Sequence, residues 1–96
     1  MAALDNDQHR TEILNRLKRA EGQLRGIQRM IDEGETCVSI ATQMAAVRKA
    51  LDSTYVRMTM CFMEQQLQAK LDHVPEVDAQ LKPMFGEIET LLGKIR

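Results

Sequence analysis

The chain has 96 residues, 44% hydrophobic but only 3% aromatic, with no Trp, seven Met and a formal net charge of −1. That length allows one small domain that needs association or staples for stability, and the composition favours interlocking helices over an aromatic-rich β-sandwich. The near-zero charge excludes a uniformly basic nucleic-acid binder, while two Cys, no signal-peptide pattern and no apolar run of about 18 residues point to a reducing cytoplasm and away from a membrane.

Residues 1–8, MAALDNDQ, carry no hydrophobic period and read as a flexible arm. The expected division is an arm over 1–10 and a single helical domain over 11–96. From Thr11 on, Ile13, Leu14, Leu17, Leu24, Ile27, Met30 and Ile31 form one apolar stripe at helical spacing. Gly22 and Gly26, four apart on one side, suggest a close helix approach, and Gly34 is a plausible helix stop. Between residues 16 and 29 five basic residues, Arg16, Lys18, Arg19, Arg25 and Arg29, stand against one acid, Glu21. A solvated helix face would look the same.

Thr36 reads as the N-cap of a second helix that runs without Gly or Pro to about Asp72. Its stripe is Cys37, Ile40, Ala41, Met44, Val47, Leu51, Tyr55, Met58 and Phe62. Spacing near seven over this length predicts another helix along the whole face. The helix would be roughly 50 Å long, more than its neighbours can cover, which predicts self-association. A third helix begins near Pro75, with Val77, Leu81, Met84, Phe85, Ile88, Leu91, Leu92 and Ile95 as its stripe. Pro83 should kink or split it.

The sequence carries no Gly-rich phosphate loop, nucleophile elbow or HExxH, so no enzyme is expected. His9, in the arm, and His73, at a helix end, read as surface residues. His73 is also placed to cap the second helix.

The run RLKRAEGQLRGIQRMIDEGETC followed by QMAAVRKAL resembles the CsoR/RcnR family of bacterial ligand-responsive repressors. The resemblance is close over about residues 12–67 and looser beyond. It implies an all-α, three-helix protomer with a long second helix, an antiparallel helical-bundle dimer, and a dimer-of-dimers tetramer. It implies that operator DNA is bound without a helix-turn-helix and released when a metal or reactive small molecule acts near the cysteine. The positions matching the family's DNA-contacting residues are Arg16, Arg19 and Arg48. Lys18 and Lys49 join them by charge alone. Phosphate contacts of this kind would make binding steeply salt-dependent.

In copper- and nickel-binding members, the first cysteine is joined by ligands 25 and 29 residues later from the partner protomer. Here that line is Cys37, Phe62 and Gln66. Steps of 25 and 29 fall at about −20° and +20° around a helix, so all three share one face. Roughly 38 Å of helix separates the first two, so they meet only across an antiparallel neighbour. Phe and Gln are not usual soft-metal ligands. Asp5 aligns near a further N-terminal ligand of nickel-type members, a second cysteine at position 66 is missing for persulfide sensing, and the arm begins MAAL where formaldehyde sensors use a proline. The sensor reading therefore rests on Cys37, with Cu(I) as one possible metal and no cofactor certain. A cysteine at a helix N-terminus feels the positive end of the dipole, which suits a reactive thiol.

The sulfur-rich stretch YVRMTMCFMEQQ, residues 55–66, allows two readings: a soft-metal site or core filler. Cys61 lies about 120° from Cys37 around the helix, and Met60 and Met63 point elsewhere, so the sulfurs scatter and core filler is preferred. The expectation is a DNA-binding repressor. A helical protein-interaction module and a soft-metal carrier, neither binding DNA, are the alternatives.

Overall fold

The computed structural model describes residues 3–70 and 75–95, with side chains over 3–70 and 79–94. Three helices, α1 (Asp7–Asp32), α2 (Cys37–Lys70) and α3 (Pro75–Ile95), make up an all-α fold without a strand among the described residues. No helix there is long and apolar enough to cross a membrane. The proposed cap at His73 lies outside the described residues.

Local chemistry sets the turn between α1 and α2. Gly34 adopts a left-handed φ of 76°, a conformation that costs Gly nothing sterically. Its N–H donates to the Ile31 carbonyl (3.2 Å) and the Glu35 N–H to that of Met30 (2.9 Å), the paired bonds of a Schellman stop. Two residues on, the Thr36 Oγ1 accepts from the Ser39 N–H at 3.1 Å and opens α2.

Helix α1 starts at Asp7, earlier than its apolar period suggests, because the Asn6 Oδ1 caps it by accepting from the His9 N–H at 3.0 Å. His9 is therefore on a helix, and at 8% exposure it is not the surface residue expected. It turns toward Glu64, also buried, with Nε2 3.7 Å from Oε2. The first turn docks through this polar pair, which is why no hydrophobic pattern announces it.

The two helices form an antiparallel hairpin. Its buried residues recur in steps of seven: Ile13, Ala20 and Ile27 on α1, Val47, Thr54 and Cys61 on α2. Ala20 supplies the small residue at this seam. Gly22 and Gly26 do not, since a Cβ at either would meet nothing within 4 Å. Helix α3 packs on the second half of α2, where Val56, Met60 and Phe85 make a buried cluster flanked by Leu67, Leu81 and Ile88. Pro83 sits inside α3 without splitting it. Its position is exposed, so water can satisfy the carbonyl that its missing N–H leaves open.

The stripe expected to meet a helix throughout α2 is mostly not the face used here. Met44, Leu51 and Tyr55 stay exposed, Tyr55 at 67%. With Leu4, Ile13, Leu14, Leu17 and Met58 the last two line an apolar groove of about 490 Å³ on the outside of the hairpin.

Candidate nucleic-acid interface and sensor cysteine

The basic residues singled out from sequence fall into two adjoining grooves. Arg16 and Arg19 project from α1 into a groove of about 410 Å³ whose other wall is Ala50, Ser53 and Thr54 of α2. Arg48 and Lys49 line a cleft of about 740 Å³ between α2 and α3. Ser53 belongs to both. Four of the five candidates thus flank one ridge of α2. Lys18 does not. It lies about 200° around α1 from Arg16 and lines neither groove.

An ion network underlies the first groove. The Arg57 Nε donates to the Glu12 Oε2 at 2.7 Å and its Nη2 to Oε1 at 3.1 Å, while Nη1 reaches Glu89 of α3 at 2.9 Å. One guanidinium on α2 therefore ties both flanking helices, in the two-pronged geometry that suits arginine and carboxylate. Glu12 also takes the Nε of Arg16, one turn along α1, at 3.4 Å. The hydrogen bond from Arg57 holds the Glu12 carboxyl below its usual range against the opposing effect of burial. The Arg57 guanidinium is in turn held more firmly protonated, chiefly by its bond to Glu12.

The two cysteines differ in access. Cys61 is 0% exposed, and burial pushes its thiol up, with Arg57 pulling the other way. A buried, protonated thiol is a poor nucleophile. Met60 is buried beside it, whereas Met63 is exposed, so the sulfurs of this stretch do scatter. Cys37 is exposed and opens α2. Phe62 and Gln66 lie half-buried near the other end of the same helix, so one chain does not bring the three together. Among the described residues no three His, Cys, Asp or Glu side chains are grouped to hold a metal ion.

Several residues in this region escaped the sequence reading. Gln65 clamps the segment before α1: its Oε1 accepts from the Asp5 and Asn6 N–H groups at 3.1 and 3.4 Å, and its Nε2 donates to the Ala3 carbonyl at 2.8 Å. No local signal marks Gln65. Arg57 did leave one: it is the only charge between Asp52 and Glu64, and a charge in such a run needs a partner.

Comparison with known proteins bears on this arrangement. A family model described as metal-sensitive transcriptional repressor matches residues 9–94. The copper-sensing transcriptional repressor RicR of Mycobacterium tuberculosis is 42% identical over 57 residues, which is 59% of this chain and 59% of that protein. The copper-sensing transcriptional repressor CsoR of Bacillus subtilis is 40% identical over 53 residues, 55% of this chain and 52% of the relative. The matched stretch thus spans between about half and three-fifths of each relative's length. No solved structure matches the chain.

Proposed function

Because this chain belongs to the metal-sensitive transcriptional repressor family, we propose that it is a DNA-binding transcriptional repressor. It works in the cytoplasm as a homo-oligomer and gives up operator DNA when an inducer acts at Cys37. The observation that carries this reading is the convergence of Arg16, Arg19, Arg48 and Lys49 on two grooves that share Ser53. Guanidinium and ammonium groups so clustered suit a phosphate backbone, which fixes register without reading sequence. No helix is assigned to base readout.

The apolar groove of Leu14, Leu17, Leu51, Tyr55 and Met58 supports the oligomer. Large exposed apolar patches mark association surfaces, and a second copy laid antiparallel would cover this one. The same arrangement would carry Phe62 and Gln66 of one protomer toward Cys37 of the other, and a dimer of dimers would make the tetramer.

Copper sensing is what the two relatives' names state. For this chain Cu(I) is a candidate inducer at Cys37, whose thiolate is a soft donor. The donor set of one chain does not complete a metal site, and Phe62 and Gln66 add no soft ligand. Reaction of the exposed Cys37 thiol with an electrophile or oxidant is the other candidate. A mobility-shift titration of DNA upstream of its own gene tests the function. Retardation that weakens with salt and is reversed by an inducer in wild type but not in Cys37→Ser is the expected result. A protein that never retards DNA under reducing conditions would instead fit a helical interaction module or a soft-metal carrier.

A further inference from the structure

We propose that Arg57 is a positioning residue for the DNA interface: its fork occupies the Glu12 carboxylate and so leaves Arg16 able to turn to a backbone phosphate. The inference deepens the DNA-binding reading and rests on it.

Both arginines compete for one carboxylate. Arg57 holds Oε2 through Nε at 2.7 Å and Oε1 through Nη2 at 3.1 Å, so each Glu12 oxygen has a short bond from it. Arg16 touches the same Oε2 at 3.4 Å, a longer ion pair, with both side chains 35% exposed. Its guanidinium makes that ion pair but no hydrogen bond among the described residues. Remove Arg57 and both oxygens fall to Arg16, which sits four residues on along α1, where a Glu–Arg pair closes readily. A phosphate would then have to win Arg16 from a full carboxylate clamp. Glu89 of α3 holds the third nitrogen, Nη1, at 2.9 Å and keeps the fork aimed. The position of α3 is thereby coupled to the availability of a DNA-contacting arginine on α1.

The competition has a sign that a merely structural role for Arg57 lacks. Glu12→Gln keeps a hydrogen-bonding side chain but loses its charge, and should tighten DNA binding by about twofold, the scale of one exposed helical pair. Arg57→Ala should weaken it by about fivefold, since a charge-assisted clamp replaces a loose contact. The double variant should return to wild type or better. Phosphate contacts are sequence-independent, so the probe is a fluorescent duplex of arbitrary sequence at low salt, followed by anisotropy. Arg57→Lys, which keeps the charge but not the fork, covers the case in which Arg57→Ala fails to fold, and should fall between wild type and Arg57→Ala. The second readout needs no DNA: the Arg16 side-chain Nε–H resonance of the free protein should shift and exchange more slowly in Arg57→Ala or Arg57→Lys. Equal affinity in wild type and folded Arg57 variants, or weaker binding by Glu12→Gln, would overturn the proposal and leave the DNA reading standing. If wild type binds no duplex, the DNA reading falls and takes the interface role with it, while an unmoved Arg16 resonance would refute the competition itself.

Discussion

At the start of α2 the helix stands clear of the rest of the chain: Cys37 and Met44 are exposed and Val38 is 77% exposed. Over its second half the same helix buries Val56, Met60, Cys61 and Glu64 and ties α1 and α3 through Arg57. The second half is tied to both other helices, although Tyr55 and Met63 stay exposed there; the start presents an open surface and an accessible thiol. The contrast puts the packed core and the accessible thiol in different places. Cys37 sits where the chain is open, whereas in the sulfur-rich stretch Met60 and Cys61 are buried and Met63 is exposed.

The contrast can be broken most severely at Phe85, which is buried against Val56 and Met60. Phe85→Ala should cost about 3 kcal/mol in urea denaturation at any protein concentration. Met44→Ala, at the open end, should cost less than about 0.5 kcal/mol in dilute solution. Equal losses would mean that the two halves are not built differently.

Thiol access comes next. One cysteine per chain, Cys37, should react with a chromogenic disulfide reagent at least about a hundredfold faster than the other, because Cys61 reacts only after local opening. Cys37→Ser should abolish the fast phase, and Cys61→Ser should leave it intact.

Arg57→Ala should then lower stability by about 1 kcal/mol near neutral pH, discounted for the partial exposure of the pairs. The effect has a pH signature. Glu12 titrates below its usual 4.5 in the folded chain, so its contribution is present above about that value and is lost as pH falls through the lowered one. Wild type should therefore lose stability below pH about 4.5 more steeply than Arg57→Ala. Parallel acid profiles would contradict the network. The smallest effect is expected of Gln65→Ala, about 0.5 kcal/mol, seen best as faster hydrogen exchange at the Asp5 and Asn6 amides.

These differences also explain what was legible beforehand. Gly34 and Thr36 declared the turn because stop and cap are written in adjacent residues. The three helices followed from apolar period. The start of α1 did not, because Asn6 and His9 dock it through polar groups. The basic residues and Cys37 were visible from charge and from the resemblance. Arg57 stood out only as a lone charge in its run; its partners did not, because Glu12 and Glu89 lie 45 and 32 residues away in sequence, and such pairings have no local pattern. The stripe on α2 is apolar as expected, but of its members only Val47 is buried, and the buried line runs on from it through Thr54 and Cys61 instead.

The central claim is that DNA meets the ridge of α2 flanked by the two basic grooves, and Arg16 and Lys18 test it most directly. They carry the same charge two residues apart on opposite sides of one helix. The measurement is the slope of log affinity against log salt for binding to duplex DNA, in wild type, Arg16→Ala and Lys18→Ala. The account predicts that Arg16→Ala flattens the slope by roughly 1 for each protomer in contact and that Lys18→Ala leaves it unchanged. A loss of slope in Lys18→Ala with none in Arg16→Ala would put the DNA on the other face of α1 and contradict it.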